Sequence, residues 1–94
     1  MVHAIVQTYG DIHRIDCTGH ATGSEQVCAA VSGIVAALAN YLVSVDAPIS
    51  HIKLGKGSSV IEFEGAQEAF DMARIGLIGI AQSYPEYAKV SDLP

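Results

Sequence analysis

Ninety-four residues, half of them hydrophobic and 16% charged, suffice for one folded domain with a single core and are too few for a catalytic domain plus a separate binding domain. Ten acidic against five basic residues leave a formal net charge of -5. That balance, with no Lys/Arg cluster, excludes the basic surface that nucleic-acid binding requires and favours a basic partner.

Residues 1–94 carry no low-complexity tract or repeat and read as one domain. The start, MVHAIVQTYGD, lacks the positive charge and long apolar stretch of a secretion signal, so a reducing cytoplasm is expected, with no disulfide between Cys17 and Cys28. Residues 2–9 (VHAIVQTY) and 13–17 (HRIDC) are β-branched-rich runs around Gly10-Asp11, which predicts a β-hairpin. In the second run Ile15 and Cys17 share one face and Arg14, Asp16 and Thr18 the other, making Cys17 a candidate core residue.

A helix begins near Thr22 or Ser24: Thr22 with Glu25 three residues later matches a capping box, and Ser24 is the alternative cap. Val27, Val31, Ile34, Leu38 and Leu42 then recur at spacings of three and four, the last four expected buried, and the helix stops before Ala47-Pro48. From Gln26 to Val45 no residue is charged, a length that would span a bilayer. The many alanines, with Ser32, Gly33, Asn40 and Ser44, and the lack of flanking Lys or Arg argue for a core helix and no membrane.

Residues 50–65 (SHIKLGKGSSVIEFEG) predict two strands joined around Gly55-Lys56-Gly57, with Ile52 and Leu54 facing inward on the first and Ile61 and Phe63 on the second. GKGSS lacks the spacing of a P-loop and reads as the hairpin turn. A second helix is predicted from Ala66 to Tyr84, ended by Pro85. Met72, Ile75 and Ile78 make an extra apolar strip on it, which points to a subunit interface or to cover by the C-terminal tail. The tail EYAKV adds a possible short strand. The expected class is α+β: two β-hairpins and two long helices in the order β-β-α-β-β-α, with a mainly antiparallel sheet packed against the helices.

The chemistry concentrates in GHATGSEQVC, residues 19–28. Cysteine attacks as a thiolate, and a place in the first turns of a helix favours the anion, because unpaired N–H groups and the helix dipole face it. Cys28 has that place, and the same N–H groups suit an oxyanion. His20 precedes the helix by a short bend, from which its imidazole can fold back to take the thiol proton. Glu25 and Ser32, three before and four after Cys28, share its helical face. A carboxylate beside a thiolate disfavours the anion, so Glu25 reads as orienting His20 or capping the helix, and Ser32 as bonding the sulfur or its own backbone. A zinc set of Cys17, His20 and Cys28 with His13 or His51 is a weaker alternative, since paired CxxC spacing is absent and Cys17 falls on the core face.

The segments TGHA at 18–21, the acidic residue at 25 and VCAAVS at 27–32 resemble the ribosomal-processing cysteine protease (Prp) family of bacteria, as do the order of elements and YPEY at 84–87. The resemblance implies that His20 and Cys28 are the catalytic pair. It matches Glu25 and Ser32 to the family's acidic residue and serine around the cysteine, with Glu where Asp is more frequent. Only ATGSEQV separates the pair, shorter than the family's Gly-rich mobile loop, which either holds His20 more rigidly near Cys28 or removes substrate contacts. The resemblance also implies a homodimer, no cofactor, and removal of the N-terminal extension of a large-subunit ribosomal protein.

The expected function is therefore a small cytoplasmic cysteine endopeptidase with Cys28 as nucleophile and His20 as general base. Its substrate is expected to be an extended peptide, paired beside a strand edge and flanked by Lys or Arg that the net charge attracts. The rival readings are a non-catalytic dimeric peptide-binding relative and a zinc-binding interaction module.

Overall fold

The computed structural model describes residues 1–21 and 23–93. In chain order the elements are β1 (Val2–Tyr9), β2 (Ile12–Thr18), α1 (Glu25–Ser44), β3 (Ile49–Gly55), β4 (Ser58–Glu64), α2 (Gln67–Ser83) and β5 (Ala88–Leu93). Both expected hairpins form, as does the C-terminal strand. The five strands lie in the order β3-β4-β2-β1-β5. Neighbours are antiparallel except β1 and β5, which run parallel because the chain crosses through α2 between β4 and β5. The sheet is thus mixed, in an α+β fold.

Register aligns the buried residues on one face. Ala4 lies opposite Cys17, Val6 opposite Ile15, and Ile15 and His13 opposite Ile61 and Phe63. All of these except His13 join one hydrophobic cluster with Val27, Val31, Val35, Leu38, Ala39 and Leu42 of α1 and Phe70, Ala73 and Leu77 of α2. The opposite face carries a polar network in which Arg14 donates to Glu62 Oε2 at 3.1 Å and Tyr9 Oη donates to the same oxygen at 2.8 Å. Two layers result: helices over one face, a partly open polar face behind.

Ser24, one of the two expected caps, caps α1: its Oγ accepts the Val27 N–H at 3.3 Å. The capping-box reading of Thr22 lies outside the described residues. Of the expected stripe, Val31, Leu38 and Leu42 are buried, whereas Ile34 is half-buried and Val35 and Ala39 lie deeper. Ile34 is drawn aside by the second helix. Its Cδ1 would stand 2.9 Å from a Cβ at Gly76, so the missing side chain there lets the helices approach. α1 is long and apolar enough to cross a membrane by length and composition, and six of its 20 residues are buried within the fold.

Ile52 and Leu54 depart from expectation. They share the helix-side face, opposite Ile61 and Ser59, but are 42% and 52% exposed because β3 is the edge strand. On α2, Met72 and Ile75 are 72% and 63% exposed, while Ile78 is half-buried in a recess it shares with Met1, Pro85, Ala88 and Val90. The tail covers only that end of the strip. Arg74 ties α2 to β5 by donating from Nε to Asp92 Oδ2 at 2.8 Å.

Candidate active site

The carboxyl end of β2 meets the tip of the β3–β4 hairpin, because the β2–β4 register sets Thr18 opposite Ser58. One residue on, the Gly19 N–H donates to the Gly57 carbonyl at 3.0 Å. A side chain at Gly19 is excluded, since a Cβ would stand 2.2 Å from the Met1 carbonyl oxygen, and its φ of +94° suits glycine. The Met1 amino group donates to the His20 carbonyl at 2.7 Å. The chain then turns sharply, the Ser24 N–H donating to the Ala21 carbonyl at 2.8 Å, and enters α1.

That turn aims the Ala21 N–H at the Cys28 sulfur, 3.2 Å away. Cys28 is the fourth residue of α1 and half-buried. Its Sγ therefore faces a backbone donor at the helix's positive end, an arrangement that holds negative charge on sulfur or on an oxygen beside it. His20 is exposed, and its ring lies against Gly57. Among the described residues no hydrogen bond joins the imidazole to the thiol. Both nevertheless line one cleft of about 500 Å³, with Ser32, Leu54, Lys56 and Ser59 among its walls. Free-enzyme contacts between nucleophile and base are commonly looser than in the working complex.

Ser32 stands one turn beyond Cys28 on the cleft wall, as the spacing predicts. Glu25 does not line the cleft; it is exposed in the first helical turn and, among the described residues, has no side-chain partner. Its position there complements the helix dipole. Among the described residues the cleft lining carries Lys56 and no carboxylate, so the acidic residues behind the net charge of -5 lie elsewhere.

The other cysteine and the other histidines are placed differently. Cys17 is buried beneath the same cleft, and burial, helped by the Asp16 carboxylate, pushes its thiol from the ordinary 9.0 up to about 11. It stays a neutral core thiol. His13 is 1% exposed, stacked on Phe70 with ring centroids 4.3 Å apart and bonded from Nδ1 to Thr8 Oγ1 at 2.9 Å. His51 sits opposite Glu62, on the polar face. Among the described residues no three His, Cys, Asp or Glu side chains are arranged to hold a metal ion, and neither proposed fourth zinc ligand reaches the cleft.

Sequence reasoning did not identify the Ala21 N–H or the hairpin tip as parts of this site. Gly55-Lys56-Gly57 reads locally as a turn and nothing more; its approach to residue 20 depends on a strand pairing across some forty residues. The backbone donor had no side-chain signal at all.

A family model for the cysteine protease Prp matches residues 1–89. Among solved structures, the chain is similar to SMU.848 from Streptococcus mutans, at 25% identity and a TM-score of 0.75, covering 99% of this chain and 94% of that one. It is similar in fold to the essential ribosomal processing protease Prp from S. aureus in complex with a covalently linked product peptide, at 19% identity and a TM-score of 0.84, covering 99% and 100% of the two chains. The same S. aureus protease in complex with a substrate peptide is similar at 16% identity and a TM-score of 0.78, with the same coverage. None of the curated proteins matches the chain. With a family match over nearly its whole length and a fold in agreement, this chain belongs to the cysteine protease Prp family.

Proposed function

We propose that this chain is a cytoplasmic endopeptidase, acting as one domain, in which Cys28 is the nucleophile and His20 the general base. The observation that carries the reading is that the Cys28 sulfur, an N–H directed at it and the His20 imidazole border a single cleft. In the reaction His20 takes the thiol proton, Sγ attacks the scissile carbonyl carbon, and the carbonyl oxygen takes the negative charge beside the N–H donors of the turn and helix start. The imidazolium then protonates the departing amine as the C–N bond breaks. Water, deprotonated by His20, opens the thioester and releases the new carboxylate. Ser32 supports the thiol from one turn away and Glu25 supports the helix start.

The substrate proposed is the N-terminal extension of a large-subunit ribosomal protein. Support comes from family membership and from the S. aureus relative, which is described as a ribosomal processing protease with a substrate peptide and with a covalently linked product peptide. The exposed edge of β3, with Leu54 on the cleft, suits an extended chain paired by its backbone. We also propose a homodimer, for which the exposed Met72 and Ile75 supply an apolar contact.

Incubation with the ribosomal-protein precursor and with a scrambled-extension control tests both chemistry and substrate. Cleavage of the precursor alone is expected. Cys28→Ala abolishes it, and His20→Ala lowers the rate by about 10² to 10⁴-fold. Near wild-type cleavage by either variant rejects the catalytic pair; cleavage of both substrates equally rejects the selectivity.

A further inference from the structure

A general base works only when its ring is held in position, and in nucleophile–base pairs a third group usually does this through a hydrogen bond. Here none is evident: among the described residues no side chain bonds the His20 ring, and neither Asp16 nor Glu25, the acidic residues nearest in sequence, lines the cleft. The ring has a different neighbour. A Cβ added at Gly57 would stand 2.5 Å from His20 Nε2, 2.9 Å from Cε1 and 3.3 Å from Cδ2. Carbon contacts are comfortable at about 3.5–4.0 Å, so the imidazole occupies space that any side chain at position 57 would need.

The same glycine holds the main chain, its carbonyl accepting the N–H of Gly19, immediately before the histidine. The hairpin tip thus fixes the backbone on one side of His20 and backs its ring on the other. We infer that Gly57 is a positioning residue for the peptidase reaction, its bare Cα forming the wall against which the His20 imidazole is set. The inference rests on His20 being the base.

Gly57 has φ +73°, so an alanine there also strains the turn. Gly10 supplies the matched control: φ is +63°, nothing lies within 4 Å of its added Cβ, and its turn is at the other end of β2. Steady-state kinetics on the precursor peptide are expected to show kcat about tenfold or more lower for Gly57→Ala than for Gly10→Ala, with KM within about twofold, because a displaced ring affects the chemical step and not peptide binding.

Stability provides an independent readout through a double-mutant cycle. Urea denaturation of Gly57→Ala in the wild-type and in the His20→Ala background is expected to show a smaller loss in the second, where the ring has been removed. Equal losses in the two backgrounds, including failure to fold in both, overturn the inference. So does a Gly57→Ala kcat equal to or above that of Gly10→Ala. Substantial activity in His20→Ala alone would instead reject the base, while the stability cycle would still report whether the two residues touch.

Discussion

The two cysteines differ in burial and surroundings, and this difference is measurable. Iodoacetamide at neutral pH is expected to add one label per folded chain, at Cys28, with Cys17 labelled only after unfolding; peptide mapping by mass spectrometry checks this. Equal labelling of both would contradict the burial of Cys17. The raised Cys17 pKa also links folding to pH. Because the folded state favours the neutral thiol, its stabilising contribution is complete below pH 9.0 and is lost as pH rises through about 11. That rise corresponds to about 2–3 kcal/mol. Urea unfolding should therefore show the stability advantage of wild type over Cys17→Ala shrinking across that window.

At the scale of elements, β2, β4 and α2 meet through an aromatic layer of His13, Phe63 and Phe70. Phe63 is fully buried, and Phe63→Ala is expected to cost about 3–5 kcal/mol by transfer and cavity terms together. His13 in that layer is held below its ordinary 6.5 by burial, against the opposing influence of Asp71 on α2 and Asp11 in the first turn. Since the folded state favours the neutral ring, this contribution is complete above pH 6.5 and declines as pH falls through the lowered value. Comparing acid unfolding of wild type with that of His13→Phe checks the sign: wild type should lose stability more steeply below pH 6.5.

For the molecule as a whole, charge and assembly are the open levers. The net charge of -5 acts at a distance because, among the described residues, the cleft itself carries Lys56 and no carboxylate. Added salt should then raise KM for a basic precursor while leaving kcat unchanged, since screening weakens steering and not contact chemistry. The proposed homodimer predicts twice the chain mass by light scattering at micromolar concentration, and Ile75→Asp should shift it to the monomer. A monomeric wild type would leave Met72 and Ile75 without that role.

Periodicity alone determined the elements. The helical stripe from Val27 to Leu42, alternation at Ile15/Cys17 and Ile61/Phe63, and Gly or Pro punctuation are local signals, and the elements they marked are present. That His20 and Cys28 border one cleft was within reach of the sequence as well, because they lie only eight residues apart. Long-range packing decided the rest. Whether Ile52 and Leu54 were core depended on β3 being an edge strand, and Ile34 was turned aside by Gly76 on the other helix. The parallel β1–β5 pair and the meeting of Gly57 with His20 arise from contacts between residues far apart in the chain. Local patterns specify which face of an element is apolar; only the closed fold determines what covers that face and which backbone stands behind a reactive side chain.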